Sequence, residues 1–554
     1  MSLVQIQIIL GVVALGFVFF VNQAWKNRGN PHRLKSFFLA DAKLGAERTE
    51  NNTLGNTFAW SGGTWFYVLC SFTYGPLILL VQPVWCISLV VLSFLFTRIH
   101  SVTKNKTLHG FLGISYGSNV RKTASIATTF GYIFNTGFEM YWSSLLFAFV
   151  LGKPELALPI ALLVAMLVAI YCNIGGFGSN ASTDKPQNLF GVVCLVILSS
   201  CVVFRTNSTP LIISNIVFGI GGAIYVILSL FRSEKFSRLH SKAVSGFAVI
   251  LAVCAVCIAI FLSTKSGGAN LYTGLSPFPK SMIIGLVLFM SIFNLVDMAN
   301  WQSIAANGDI EVSKHKPLRW AIIRSGLYVN WFPSLGGILV GLALRLSYTG
   351  VDDKNIFKFA FDTVLPHGDP IVRGIILGCL LLGFLATSLS TSDSYLMSAV
   401  QTITYDLLYH KEIKELLENE NEEKEKFYVK RAKSLLLPVA VAMVLVFYGS
   451  YTAYTKYVGR SALDFQMLIY SFAITLLVPV MYALFAGVEK AQRHKRAAFW
   501  AVTAGISAAI LPYITVVVMK VDPDLIGDVV NYTPIFSLAI SSVIFSLGLL
   551  FKKK

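Results

Sequence analysis

Long runs of apolar residues, separated by short polar loops, repeat along the whole chain. Their lengths match the roughly 20 residues that an α-helix needs to cross a bilayer. This pattern predicts an all-α polytopic membrane protein with about fifteen transmembrane helices. The approximate limits are 3–24, 54–74, 75–98, 122–151, 156–175, 188–206, 211–231, 242–263, 282–303, 319–345, 371–400, 434–452, 463–487, 496–519 and 532–551.

The polar loops between these runs differ in charge. Alternate loops carry basic clusters, at residues 26–35, 232–242, 490–496 and 552–554. The opposite loops are short or acidic, as at Asp352-Asp353. The positive-inside rule therefore places the N-terminus outside and the C-terminus inside. The net charge of +17 is explained by orientation in a lipid bilayer, and we expect no nucleic-acid partner.

Composition agrees with a membrane location. Hydrophobic residues make up 55% of the chain and charged residues 13%, and the mean hydropathy is +0.67. The eight cysteines lie in or beside apolar segments, which argues against an extracellular disulfide framework. The stretch Leu3–Val21 lacks a basic start and a cleavage site, so we interpret it as a retained helix. We expect a multi-pass protein of the plasma or inner membrane, without an obligate protein partner.

The predicted span 371–400 contains an unusually dense run of hydroxyl groups, from Thr387 to Ser394. Ser390, Thr391 and Ser394 recur at helical spacing, so their oxygens can converge. Uncharged oxygen ligands suit a small hard cation that must bind and then leave. Serine and threonine in membrane helices also bond to their own helix carbonyls. The density of the run favours an ion or substrate path.

Two other predicted spans are interrupted. Gly62 and Gly63 are adjacent within span 54–74, where they permit the helix to unwind. Asn294 and Asp297 lie on one face of span 282–303. Interrupted helices at corresponding places in two halves are typical of inverted-repeat transporters. The predicted units are residues 1–53 (N-terminal helix and cytoplasmic loop), 54–206 (first repeat), 207–281 (inserted hairpin), 282–490 (second repeat) and 491–554 (two C-terminal helices).

The sequence contains no enzyme motif in the structural context that such a motif requires. Gly113–Gly117 fits the pattern G-x-S-x-G, but no strand–turn–helix context accompanies it. The sequence contains no Walker loop, H-E-x-x-H motif or Cys/His metal cluster. We therefore predict that the protein is not an enzyme, and that any uphill transport is driven by an ion gradient.

Four ordered motifs carry a resemblance to a known family. They are the loop Phe37–Gly45, the element Thr107–Gly117 with His109-Gly110 in place of Pro-Glu, Gly175-Gly176 followed by Thr183-Asp184-x-x-Gln187, and the run Leu385–Ser394. Over roughly residues 1–490 the chain resembles the sodium/solute symporters with the LeuT-type fold, a 5+5 inverted repeat. The hairpin 207–281 departs from the family pattern.

The resemblance implies a sodium site between the first and eighth core helices. Its ligands would be the backbone carbonyls of Ala59, Gly62 and Thr387 and the hydroxyls of Ser390 and Thr391. The resemblance also places Asp184 on the sodium exit path or at a second ion site. The alternative for Asp184 is an interfacial carboxylate, at the start of a helix, paired with Lys185.

Candidate solute contacts come from the first, third and sixth core helices. They are Trp60, Ser61, Thr64, Trp65, Asn135, Glu139, Asn294, Asp297 and Trp301, with Phe134 and Tyr141 as neighbours. The alternative for the aromatic residues is ordinary packing. Glu139 and Asp297 demand a partner or a proton, because a buried charge is costly. Carboxylates in the cavity would suit a solute with amino or amide donors.

These observations predict a sodium-coupled symporter that imports a small polar organic solute by alternating access. Two alternatives remain open. One is a proton-coupled carrier with Glu139, Asp184 or Asp297 as the proton site. The other is a transporter-like sensor that binds a solute without net transport.

Overall fold

The computed structural model describes residues 2–30, 32–103, 107–230, 280–311, 315–326, 331–347, 356, 369–418, 421–458, 467, 471–519 and 530–550. Every secondary-structure element within these ranges is helical. The predicted span 242–263 and most of the hairpin 207–281 lie outside the described residues.

The α-helices of the described part follow one another in chain order. They are α1 (Leu3–Lys26), α2 (Leu34–Leu39), α3 (Ala46–Gly55), α4 (Phe66–Tyr74), α5 (Gln82–Thr103), α6 (Leu108–Tyr116), α7 (Ser118–Val150), α8 (Ala157–Val203), α9 (Thr209–Leu230), α10 (Lys280–Val296), α11 (Met298–Ala305), α12 (His315–Arg324), α13 (Trp331–Ser347), α14 (Pro370–Thr402), α15 (His410–Glu418), α16 (Glu422–Val458), α17 (Leu477–Ala486), α18 (Val488–Gln492), α19 (Lys495–Met519) and α20 (Thr533–Leu550). Short 3₁₀ and π segments join them at Ala40–Ala42, Trp60–Trp65, Pro76–Val81, Pro154–Leu156 and Ile403–Leu408.

Eight helical stretches of the described part are long and apolar enough to cross a membrane. They are Leu3–Lys26, Pro76–Thr103, Pro154–Val203, Thr209–Leu230, Lys280–Ala305, Pro370–Leu408, Glu422–Lys456 and Thr533–Leu550. Large apolar side chains such as Leu15, Phe94 and Val543 lie exposed on them, as expected of surfaces that face lipid. The chain is an integral multi-pass membrane protein.

Helix α14, which carries the hydroxyl run, lies at the centre of the bundle. It packs against α1, α7 and α8, and every side chain from Leu380 to Thr402 is buried. Small residues bring the helices close together. A Cβ atom at Gly191 would lie 2.2 Å from Thr387 Cγ2, and one at Gly383 would lie 2.1 Å from Cys194 Sγ. The hydroxyl run is therefore fixed tightly against α8.

The first interrupted span begins earlier than the predicted limits of 54–74. Helix α3 starts at Ala46 and ends at Gly55, ahead of a non-helical segment at residues 56–59. The chain then forms the π-helical turn Trp60–Trp65, which contains both glycines. The polar composition of α3 suggested a loop, but its polar side chains have partners inside the protein.

The spans predicted at 156–175 and 188–206 are joined rather than separated by a loop. Helix α8 bends at Gly176, whose φ of 65° and ψ of −155° favour glycine. A Cβ atom there would also lie 2.2 Å from the carbonyl oxygen of Phe37. The helix resumes directly after this bend, so Asp184 lies inside a helix and not at its start. The prediction of a helix start at Asp184 is wrong.

The second interrupted span breaks at Asp297, between α10 and α11. The Asp297 side chain accepts a hydrogen bond from the Ala299 backbone N–H at 3.2 Å and so caps α11. The charged stretch that follows α14 forms α15 and the start of α16. Arg33 contacts Glu425 there at 3.5 Å.

Candidate ion and solute site

A buried carboxylate meets the hydroxyl run between α8 and α14. Ser390 Oγ donates a hydrogen bond to Asp184 Oδ1 at 2.6 Å, and Asn52 Nδ2 donates to Asp184 Oδ2 at 3.1 Å. All three side chains are fully buried. Lys185, the neighbour in sequence, instead contacts Glu47 at 2.9 Å. Asp184 therefore faces the interior while Lys185 faces away from it.

A second carboxylate belongs to the same hydrogen-bond network. Asn52 Nδ2 also donates to Ser394 Oγ at 3.1 Å, and Ser394 Oγ donates to Asp393 Oδ1 at 3.3 Å. Within the described residues, Asn52 Oδ1 and Asp393 Oδ2 are buried without a hydrogen-bond partner. The ion pairs found among those residues include neither Asp184 nor Asp393. The network thus has an excess of oxygen acceptors, an arrangement that suits a hard cation.

The end of α3 also contacts this hydrogen-bond network. Thr391 Oγ1 donates to the carbonyl oxygen of Gly55 at 2.8 Å. A Cβ atom at Gly55 would lie 2.2 Å from Ser390 Oγ and 3.1 Å from Asp184 Oδ1. Only glycine permits this approach, because any side chain would occupy the space between the hydroxyl and the carboxylate.

The predicted sodium ligands fall into two neighbouring groups. Ala59, Gly62 and Thr391 line one central cavity, whereas Ser390 faces Asp184. The Ala59 carbonyl accepts the Thr64 backbone N–H at 3.1 Å, and the Thr387 carbonyl accepts Thr391 Oγ1 at 3.2 Å. The sequence pattern predicts no role for Asn52, Gly55 or Asp393 in an ion site. The adjacent polar pair Asn51-Asn52, just before the interrupted segment, was the available signal.

The central cavity has a volume of about 60 Å³, room for several water molecules or a small solute. Its polar lining comprises Asn56, Thr57, Gln82, Asn135, Glu139 and Thr391, with Tyr67 and Tyr395 among the aromatic residues. Glu139 Oε1 accepts the Gly62 backbone N–H at 2.7 Å. None of the described lining residues is a lysine or arginine. The cavity therefore combines a carboxylate with neutral hydrogen-bonding groups and aromatic walls.

Only some of the predicted solute-binding residues line the central cavity. Asn135 and Glu139 line the central cavity, while Thr64 and Trp65 are buried without lining it. The side chains of Trp60 and Ser61 lie outside the described residues.

Asn294 and Trp301 stabilise the break between α10 and α11 instead of facing the cavity. Asn294 Nδ2 donates to Ser88 Oγ at 2.6 Å. Trp301 Nε1 donates to the Leu295 carbonyl at 2.9 Å, and its ring stacks on Phe111. The Trp301 contact satisfies a carbonyl near the end of α10, and the Asn294 contact joins α10 to α5.

Asp297 lines a smaller cavity of about 20 Å³ beside the first. Its Oδ1 accepts the Tyr132 hydroxyl at 2.5 Å. Thr128, Gly131, Tyr132 and Ala473 also line this second cavity, and Asn135 and Phe293 line both.

Comparison with known proteins gives a structural likeness and no sequence family. No protein-family model matches the chain, and no curated protein sequence matches it. A solved structure of a Na⁺-coupled sialic acid symporter, in a substrate-bound outward-open state with a novel Na⁺ site, is similar with a TM-score of 0.63. The two chains are 12% identical, and the match covers 99% of this chain and 98% of that one. This chain is thus an integral membrane protein with the fold of a Na⁺-coupled symporter.

Proposed function

We propose that the protein is a sodium-coupled symporter that imports a small polar organic solute by alternating access. The observation that carries the proposal is the contact of Ser390 with Asp184 at 2.6 Å, in a buried network with unsatisfied oxygen acceptors. Two buried carboxylates without a basic partner among the described residues call for a compensating cation.

The cation would be held where three helices meet. Asp184 from α8 and Ser390 from α14 provide one set of oxygens, and the end of α3 lies beside them. The carbonyls of Ala59, Gly62 and Thr387, with the Thr391 hydroxyl, form the proposed set nearer the central cavity. Sodium is favoured over a tightly held divalent ion, because mostly neutral oxygens allow release.

Sodium binding would couple the two parts of the broken first core helix to α14. A cation that bridges α3, α8 and α14 stabilises the conformation in which these helices are close together. A solute that prefers the same conformation then binds more tightly in sodium, and by linkage sodium binds more tightly in its presence. Release of the cation would allow the helices to separate and the solute to leave.

The central cavity favours a solute that donates hydrogen bonds. Glu139 and the amide side chains of Asn135 and Gln82 offer acceptors, and the described lining provides no basic group. An acidic solute such as sialic acid would meet the Glu139 carboxylate in a cavity whose described lining contains no lysine or arginine. Amines, amides and ureas match the lining better.

Thermal stability in sodium and in choline at equal ionic strength tests the proposal. Because a ligand that binds the folded state stabilises it, sodium at 100 times its Kd would add about 2.7 kcal/mol. Ser390→Ala should lose most of this gain. Ser392→Ala is the matched control, because its hydroxyl has no hydrogen-bond partner among the described residues. Equal stability of the wild-type protein in sodium and choline would contradict the proposal.

A proton-coupled carrier is the second candidate, since protons also neutralise the Asp184–Asp393 network. Uptake into liposomes under a sodium gradient, compared with a proton gradient, distinguishes the two. The solute panel should include amino acids, urea, sugars and carboxylates. Accumulation driven only by the proton gradient would favour this candidate.

A further inference from the structure

Two cavities follow one another along α7, and each contains one buried carboxylate. The first contains Glu139 and the second Asp297. On α7, the residues that line them include Thr128, Tyr132, Asn135 and Glu139. Their spacing of three or four residues places them on one face of the helix. This face leads from the central cavity towards the N-terminal end of α7, which the loop charges place in the cytoplasm.

Several side chains lie between the two cavities. Asn135 and Phe293 line both of them. The ring of Tyr132, which lines the second cavity, stacks on Tyr395, which lines the first, with 4.9 Å between the centroids. A partition made of side chains opens by rotamer changes, without unfolding of a helix.

The second cavity resembles the first in charge. Asp297 Oδ1 accepts the Tyr132 hydroxyl and the Ala299 N–H. The described residues that line the cavity include no lysine, arginine or histidine. Behind the cavity wall, His109 Nε2 lies 2.9 Å from Thr128 Oγ1. A solute leaving the Glu139 cavity would therefore meet a second carboxylate on its path.

We propose that the second cavity is a release subsite for the positively charged, donor-bearing end of the solute, an ammonium or guanidinium group passed from Glu139 to Asp297. The proposal rests on the proposed transport function and adds to it a solute class and a route. Both carboxylates accept hydrogen bonds, and Asn135 lies between them with an acceptor oxygen of its own. A cation crossing the partition keeps an oxygen partner throughout, which lowers the cost of moving a charge at bilayer depth.

The partition is connected to the proposed ion site through α14. Tyr395 follows Thr391 by four residues and lies on the same face of the helix. Thr391 Oγ1 donates to the Gly55 carbonyl at 2.8 Å, and the Tyr395 hydroxyl lies 3.4 Å from the Asn56 carbonyl. Separation of α14 from this interrupted segment would move Tyr395 away from Tyr132 and open the partition.

Paired thiol reagents of opposite charge test the inference without knowledge of the natural solute. Ala473→Cys places a thiol in the second cavity and Met290→Cys one in the first. The full-length protein in proteoliposomes is treated with a cationic trimethylammonium and an anionic sulfonate methanethiosulfonate of similar size. Ser101→Cys, at an exposed site, gives the intrinsic rate ratio of the two reagents, and the wild-type protein gives the background of native cysteines.

We expect the cation-to-anion rate ratio at both cavity thiols to exceed that at Ser101→Cys. Asp297→Asn should lower the ratio at position 473 at least about tenfold and leave that at position 290 unchanged, because only the nearby charge is removed. Glu139→Gln should do the reverse. Asparagine retains the cap of α11 and an acceptor for Tyr132, so folding is preserved. Tyr132→Phe, which keeps the carboxylate, should retain the preference for the cation.

Two results would overturn the inference. One is an unchanged ratio at position 473 in Asp297→Asn. The other is a thiol at position 473 that reacts with neither reagent while the thiol at position 290 reacts. Sodium-dependent stability, measured on the same proteins, separates this failure from failure of the proposed function, because it does not depend on the second cavity.

Discussion

The hydroxyl of Ser390 lies 2.6 Å from a carboxylate oxygen of Asp184, and both side chains are fully buried. A hydrogen bond to a charged group contributes about 1.5–3 kcal/mol. We expect Ser390→Ala to lower the free energy of unfolding by about that amount in choline, and to reduce sodium-dependent stabilisation as well. Thermal unfolding in detergent, with a sodium titration, measures both effects.

The matched control for this prediction is Ser392→Ala, two residues along α14. In the described part of the chain Ser392 Oγ is buried without a hydrogen-bond partner, so its removal should leave the sodium titration unchanged. Equal effects of the two substitutions would show that general packing of α14, and not the contact with Asp184, determines the response.

Gly55 provides a second test of the proposed ion site. A Cβ atom there would lie 2.2 Å from Ser390 Oγ, so Gly55→Ala must displace the hydroxyl from the carboxylate. We expect loss of sodium-dependent stabilisation and an overpacking cost of about 1–3 kcal/mol. Gly449→Ala is the control, because a Cβ atom there meets nothing within 4 Å. It should stabilise α16 by about 0.5–1 kcal/mol. An intact sodium response in Gly55→Ala would contradict the proposed location.

The sequence allowed prediction of those elements that depend on local pattern. The apolar run at 371–400 corresponds to α14, which the structure places at Pro370–Thr402. Its length alone identifies a membrane span. The breaks near Gly62-Gly63 and at Asp297 were also predicted, because adjacent glycines and a polar cluster are uncommon inside such a span.

Features that depend on distant partners could not be predicted in this way. The polar side chains of α3 have partners that are distant in sequence: Asn52 donates hydrogen bonds to Asp184 and Ser394. Asp393 had no assignment for the same reason. Asn294 appeared to be a solute ligand because it shares a helix face with Asp297, yet Ser88 of α5 accepts its hydrogen bond. Only the packing of helices determines which polar side chains meet.

Glu139 connects the central cavity to the π-helical turn Trp60–Trp65, through the Gly62 N–H at 2.7 Å. Glu139→Gln keeps an acceptor for that N–H but removes the charge. We expect uptake of a cationic solute to fall about 10- to 100-fold, the equivalent of one charge-assisted hydrogen bond. Sodium-dependent stabilisation should persist. Initial rates of radiolabelled uptake into liposomes measure the first effect, and unchanged uptake with a neutral solute serves as the internal control.

Gly176 tests the bend that places Asp184 in the interior. Its backbone adopts φ 65° and ψ −155°, and a Cβ atom would lie 2.2 Å from the Phe37 carbonyl oxygen. Gly176→Ala should cost at least about 1–3 kcal/mol through backbone strain alone. Gly11→Ala, in the open middle of α1, should not destabilise the protein. Comparable unfolding temperatures for the two variants would argue against the bend.

Substitution of Asp393, unlike substitution of Ser390, should stabilise the protein in the absence of sodium. Asp393 Oδ2 is buried with no hydrogen-bond partner in the part of the chain that the structure describes, and Asp393 shares a network with a second carboxylate. In choline, Asp393→Asn should therefore raise the free energy of unfolding by about 1–3 kcal/mol, because an uncompensated buried charge is removed. In sodium the gain should shrink or reverse, since the cation loses a compensating charge.

Asp369→Asn, at the exposed N-cap of the same helix, retains the cap and should change neither value. If Asp393→Asn instead destabilised the protein in choline and left the sodium titration unchanged, Asp393 would have a packing role only. If Asp393→Asn is more stable than the wild-type protein in choline but less stable in sodium, this carboxylate is retained because it helps to hold the cation, although it destabilises the cation-free protein.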